Sequence, residues 1–329
     1  MDPSQTVDAE SETRAPVMIA VAIVLMSLSS LMVGLRLWCR KIANSFGLDD
    51  LAAVMTLISI LGCGSAMIAM TKYGLGRHEW TLSTDAFVLY QRCFWVSVLF
   101  YMMALFWAKM AFLLNYYRIM SVSNMRNVVL GSIVLVGLWG GSQFIMRFVQ
   151  CIPLKAVWDP RVEAKCIPNE TALWYINGVI NIVSDIAILV LPLPVVWKLN
   201  LPRGQKLILS GIFGLGFFTV AVSIMRMQWL TPQKDVTWWN VTAASWSLSE
   251  ITSAITCACL PTLKPLVARY EAKVNANAKR DNTFRLQSVV VDADTESSMT
   301  VDGSQDRSSS ETKKPEKLRY GIVTRITAK

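Results

Sequence analysis

Charge is scarce in this chain. Lys, Arg, Asp and Glu make up 17% of its 329 residues, where soluble domains carry roughly a quarter. Histidine is scarcer still: His78 is the single copy, which excludes a metal centre built from several imidazoles. The phosphate-binding patterns GxGxxG and GxxxxGK[ST], the zinc motif HExxH and the nucleophile elbow GxSxG are all missing. Their absence argues against nucleotide-driven transport and most oxidoreductase chemistry. No nucleic-acid module is recognisable either, so the net charge of +9 does not point to a nucleic-acid partner.

Apolar residues fill the space. They form 53% of the chain, and mean hydropathy is +0.41. Runs of about 20 apolar residues recur, each long enough to cross about 30 Å of hydrocarbon. They lie at 16–38, 48–71, 88–117, 127–151, 171–197, 206–230 and 239–263. The expected fold class is therefore all-α: a polytopic membrane protein with seven transmembrane helices. Residues 1–15 are polar and acidic rather than basic like a signal peptide, so the first apolar run is expected to stay as a helix. Lys and Arg follow the first, third, fifth and seventh runs, as with Arg40, Lys41, Arg118, Arg126, Lys198, Lys264 and Arg269. Under the positive-inside rule this bias predicts an N-terminus outside and a cytoplasmic C-terminus.

Three segments follow: an extracellular or lumenal acidic N-terminus at 1–15, a membrane domain at 16–270 and a tail at 271–329. The tail is rich in Ser, Thr, Asp and Lys and poor in aromatics. Such a composition buries too little apolar surface to offset its ordering entropy, so it is expected to be disordered and cytoplasmic.

Cys39, Cys63, Cys257 and Cys259 fall within or at the ends of spans, where cysteine behaves as a small hydrophobe. Cys93, Cys151 and Cys166 group near the predicted outer face. A Cys151–Cys166 bridge would close the loop CIPLKAVWDPRVEAKC in an oxidising compartment. Cys93 is the competing partner for Cys166. Two glycosylation sequons, at Asn169 and Asn240, are predicted on that side. Trp238 and Trp239 beside the second read as interfacial anchors.

The spans also hold charges. Asn177, Asn181 and Asp185 recur every four residues and so stack on one helix face. Glu250 stands halfway along the last span, and Lys109 lies within the third. A charge at such depth costs several kcal/mol, on the order of 3 or more, unless paired or wetted, so these groups should face the bundle interior. Three readings are open: an ion-paired network that fixes packing, a ligand or substrate site, and a proton path. As a site, Asp185 and Glu250 would be the catalytic carboxylates, and Lys109, Asn177 and Asn181 would hold the ligand. His78, in KYGLGRHEW, reads as part of a glycine-containing turn that could contribute to a ligand entrance.

Several stretches carry a family resemblance: GLDDLAAV, YGLGRHEW, KMAFLLNYYRIM, ALWYINGVINIVSDIAILVLPLPVVWKLNLPRGQKLIL and WSLSEITSAITCACLPTLKPL. Over residues 20–270 the chain resembles the fungal rhodopsin-domain family, typified by an integral membrane protein of the satratoxin gene cluster. Leu51 departs from that pattern, which usually has Trp after the paired Asp49 and Asp50. The resemblance implies seven helices and a setting in secondary-metabolite biosynthesis, but no particular reaction. No retinal is expected, because the last span (239–263) contains no lysine for a Schiff base.

The expected function is thus an integral protein of the plasma membrane or an endomembrane, accessory to a fungal biosynthetic pathway and acting on a lipophilic intermediate. Membrane lipid, a lipophilic small molecule or pathway enzymes are its expected partners. If it is an enzyme, it would be a cofactor-free membrane cyclase or isomerase. A receptor for a small extracellular ligand is the alternative, and a transporter the third; no matched pair of broken-helix repeats supports the last.

Overall fold

The computed structural model describes residues 13–119, 123–193, 203–229 and 235–263. The chain divides into two units, Met1–Arg269 and Tyr270–Lys329. The second unit, which contains the tail, lies outside the described residues, as do residues 1–12 of the acidic N-terminus.

Among the described residues the membrane unit has seven long helices: α1 (Ala15–Ile42), α2 (Leu48–Lys72), α3 (Thr84–Ile119), α4 (Ser123–Val149), α5 (Glu170–Val190), α6 (Arg203–Gln228) and α7 (Val236–Cys259). Five of them, α1 to α5, contain stretches long and apolar enough to cross a membrane. Their outward faces expose Val24, Leu31, Leu135, Leu138 and Val183, apolar surface that only lipid would cover without cost. The protein is an integral membrane protein with an all-α fold. In α6 the apolar stretch is the shorter Phe213–Gln228.

α7 falls short of the apolar threshold for a different reason: Ser and Thr crowd it. Their hydroxyls donate to carbonyls one turn back, Ser245 to Val241, Ser247 to Ala243, Ser249 to Ser245 and Thr256 to Thr252. Satisfied within the helix, these groups can be buried. α7 accordingly packs against α1, α2, α3 and α6, and Leu248, Ile251 and Ile255 are fully buried. Around them the core gathers Met18, Ala22, Ala53 and Ile60 from α1 and α2.

One end of the bundle is tied by a covalent loop. Cys151 and Cys166 form a disulfide, flanked by two-residue antiparallel strands β1 (Cys151–Ile152) and β2 (Lys165–Cys166). Arg161 from this loop donates to Asp85 at the start of α3 at 2.6 Å. Cys93 remains a free thiol.

At the same end the turn after α2 is built on glycine. Gly74 and Gly76 have φ of +120° and +85°, values that a side chain disfavours. A Cβ on Gly76 would also stand 2.8 Å from the backbone nitrogen of Ala15. Next to this turn His78 is stacked between Trp80 and Trp238, each 4.4 Å away, and its Nδ1 lies 2.5 Å from Asp235 Oδ2. Asp235 also accepts from the backbone nitrogens of Glu79 and Trp238. His78 therefore fastens the turn to the start of α7.

The opposite end is held by an ionic cluster. Arg36 is fully buried and donates to Asp49, to Asp50 at 2.9 Å and to the carbonyl of Ala258 at 2.8 Å. Arg40 reaches the same two carboxylates. Arg118 donates to Asp49 at 3.3 Å and to Ser45, while Asp50 accepts from the Gly47 nitrogen at the α2 N-terminus. Arg40 and Arg118, counted in the sequence as topogenic charges, are thus also structural partners of buried acids.

Candidate functional site

The charged residues inside the bundle converge. Tyr101 and Lys109 lie two helical turns apart on α3, Asn181, Ser184 and Asp185 on α5, Ser223 and Arg226 on α6, and Glu250 on α7. Within each helix the residues recur at three, four or eight positions, so each set projects from one side of its helix. Four helices are thereby joined through one polar network.

Lys109 uses all three of its ammonium donors. They reach Asp185 Oδ1 at 2.7 Å, Ser184 Oγ at 2.6 Å and the Asn181 carbonyl at 3.1 Å. Glu250, with 0% exposure, is equally occupied. Its Oε1 accepts from Ser223 at 2.5 Å and from Asn181 Nδ2 at 2.9 Å. Its Oε2 accepts from Tyr101 at 2.5 Å and lies 2.9 Å from Arg226 Nε. Asn181 bridges the two halves, with its amide also 3.4 Å from Asp185 Oδ2. Two cations face two carboxylates, so the network is electrically balanced. That balance is the condition for charges to persist in a low-dielectric interior.

The network forms a wall between two cavities. A cavity of about 230 Å³ is lined by Leu105, Phe106, Val136, Trp139, Trp174 and Ile180, with Lys109, Asn181, Ser184 and Arg226 on its polar side. It sits where α3 and α4 pack on each other while α5 packs on α6. A water's share of liquid is about 30 Å³, so the space is sized for an organic molecule rather than a single solvent. Lys109 also lines a cavity of about 40 Å³ that touches Asp185, Glu250, Thr219 and Cys257. A third, of about 100 Å³, shares Trp139, Gln143, Trp174 and Asn177 with the 230 Å³ cavity and reaches Gln150 and Ile167 beside the disulfide loop. There Arg147 lies over the Trp174 ring at 4.0 Å.

The five residues nominated from sequence thus occupy one region. Lys109, Asn181, Asp185 and Glu250 are hydrogen-bonded together, and Asn177, one turn along α5, lines the two larger cavities instead. Sequence reading missed Tyr101, Ser184, Ser223 and Arg226. Arg226 stands near the end of α6, where an arginine reads as an interfacial charge; its intramembrane role had no local signal. Of the two sequons, Asn169 is exposed at the start of α5, whereas Asn240 lies inside α7 and donates its amide to Tyr90 at 2.7 Å. Among the described residues no group of three or more His, Cys, Asp or Glu side chains could hold a metal ion. The α7 sequence contains no lysine, so its residues do not fit a retinal Schiff base.

Residues 35–269 match the family model described as the fungal rhodopsin domain. A SAT4 family membrane protein of Emericella nidulans is 30% identical over 74% of this chain and 60% of its own length. Receptor GIN3 of Arthrobotrys oligospora is 23% identical over 79% of the chain and 64% of the relative. The Satratoxin biosynthesis SC1 cluster protein 4 of Stachybotrys chartarum is 26% identical over 49% of the chain and 59% of the relative. The matched region therefore spans about three fifths of the length of these relatives. No solved structure matches.

Proposed function

This chain belongs to the fungal rhodopsin domain family, and we propose that it holds a lipophilic small molecule of a biosynthetic pathway in the cavity between α3, α4 and α5. The observation that carries the reading is a 230 Å³, largely aromatic and aliphatic cavity with one charged wall. Ligand sites generally have this character: an apolar lining with a few placed polar groups. Membrane relatives named for biosynthetic gene clusters support the setting.

Binding fits the wall better than acid catalysis does. A proton donor needs a carboxyl that is free to reach its substrate. Asp185 is paired with Lys109, and both oxygens of Glu250 are engaged. On this reading the carboxylates position the cations and amides that line the cavity.

A receptor is the second reading, favoured by one feature besides the relative named as a receptor. α3 carries Lys109 at the cavity, α7 carries Glu250 bonded to Asn181 behind it, and both helices also meet the ionic cluster at the Asp49 end, through Arg118 and the Ala258 carbonyl. A ligand that shifts these helices would load that cluster.

Metabolite profiling by mass spectrometry tests both readings. It compares a gene deletion with add-backs of wild type, of Ile180→Trp, which fills the cavity, and of Asp185→Asn, each with membrane expression checked. An intermediate that accumulates in the deletion and both variants and is cleared by wild type is the expected result. Loss of a whole pathway at the transcript level would favour the receptor. Wild-type metabolite and transcript profiles in every strain would overturn the proposal.

A further inference from the structure

Among the described residues, Arg226 is the charged side chain of the wall that makes no well-aligned hydrogen bond. Its side chain is buried, at 7% residue exposure, and it lines the 230 Å³ cavity but not the 40 Å³ one. Its charge is matched, because Nε stands 2.9 Å from Glu250 Oε2. Its hydrogen bonds are not. Nε is in ion-pair contact with that oxygen without a well-aligned hydrogen bond, the guanidinium makes no other hydrogen bond among the described residues, and the Tyr101 ring 5.1 Å from Cζ offers only a π face. A guanidinium carries five N–H donors, and a buried donor without a partner costs about 1–3 kcal/mol. Lys109, by contrast, has all three donors in use.

We infer that the cavity takes an apolar molecule bearing an uncharged carbonyl, as in a ketone, ester, lactone or amide, and that Arg226 donates to that oxygen. This inference rests on the ligand-site reading above and adds the ligand's chemical class. The need for an acceptor follows from a buried guanidinium that has an ion-pair contact but no well-aligned hydrogen bond among the described residues. The need for neutrality follows from the wall's charge balance: Lys109 and Arg226 already face Asp185 and Glu250. A carboxylate would add one uncompensated negative charge to a poorly hydrated site, where each unpaired ion is penalised heavily. A neutral carbonyl accepts two N–H bonds and leaves the balance intact. The rest of the lining, with Leu105, Phe106, Val136, Trp139 and Ile180, suits a hydrocarbon body.

The test measures binding to the purified full chain in lipid nanodiscs by thermal shift and titration. Three probes of equal length are compared: a medium-chain methyl ketone, its parent alkane and the corresponding carboxylic acid. The expected result is that the ketone binds wild type at least tenfold more tightly than either of the others. Arg226→Lys keeps the charge opposite Glu250 but exchanges the planar donor fork for a shorter ammonium, and should reduce that preference severalfold. Should it fail to fold, Arg226→Met with Glu250→Gln removes both charges together and serves the same comparison. Equal binding of ketone and alkane, blocked by Ile180→Trp, would overturn the carbonyl inference while leaving the cavity as a ligand site. Tighter binding of the ionised acid would overturn the neutrality argument. If no probe binds, or binding is indifferent to Ile180→Trp, the ligand-site reading itself fails.

Discussion

Replacing Glu250 by Gln removes one charge and almost no volume, yet the structure predicts a large loss of stability. The glutamate is wholly buried and meets Tyr101, Ser223 and Asn181 through hydrogen bonds and Arg226 through its charge. An amide offers one acceptor oxygen where the carboxylate offered two. With that oxygen kept toward Arg226 and Tyr101, the new NH₂ meets Ser223, whose hydroxyl can turn to accept, and the Asn181 amide, which cannot. One donor–donor conflict results, costing about 1–3 kcal/mol. Arg226 then becomes an uncompensated buried cation, and breaking a buried pair in this way costs about 3–5 kcal/mol. The terms overlap, so a total of about 4 kcal/mol is expected. Adding Arg226→Met should recover part of the loss, because the stranded charge disappears with it. The assay is reversible unfolding in mixed micelles across the four members of the double-mutant cycle, where independent sites add within about 0.5 kcal/mol. If Glu250→Gln costs less than about 1 kcal/mol, or the two substitutions are simply additive, the ion-paired wall described above is wrong.

The other predictions concern the two ends of the bundle. Arg36→Met strands Asp49, Asp50 and the Ala258 carbonyl and should lower unfolding stability by about 3 kcal/mol even with Arg40 still in place; Arg118→Ala, whose side chain is 36% exposed, should change it by less than about 1 kcal/mol. A loss from Arg118→Ala as large as that from Arg36→Met would contradict this ranking. Gly76→Ala combines a positive φ with a 2.8 Å approach to backbone and should lower the melting temperature by an amount equivalent to at least about 1 kcal/mol; an unchanged melt would refute the turn's need for glycine. For a glycosylated preparation, Asn169→Gln should increase gel mobility and Asn240→Gln should not, because the Asn240 amide is bonded to Tyr90 within a helix. A mobility change from Asn240→Gln alone would reverse that assignment.

Much of the molecule was legible before any coordinates. Seven apolar runs mark seven helices because a bilayer demands about 20 apolar residues per crossing and every backbone group bonded within the segment. The run at α7 is the least apolar in appearance, and its Ser and Thr residues hide their polarity in bonds to their own backbone. The four-residue recurrence of Asn177, Asn181 and Asp185 identifies one face of α5, since helical periodicity is local. The cost of charge in hydrocarbon then sends Lys109, Asp185 and Glu250 inward. Cysteine positions narrow the partners of Cys166 to two, and the structure joins it to Cys151.

What spacing cannot encode is how each helix is rotated and which neighbour it meets. Lys109 had two acidic candidates, and only packing placed it 2.7 Å from Asp185, leaving Glu250 to Arg226. Asp49 and Asp50 open α2 in plain view, yet their partners come from α1 and α3. The sequence by itself determined that this is a membrane bundle with charges turned inward, because hydropathy and helical period act within each segment. The tertiary structure alone decided how those charges pair, where the cavity lies and that Arg226 lines it, because these depend on side chains brought together from segments far apart in the chain.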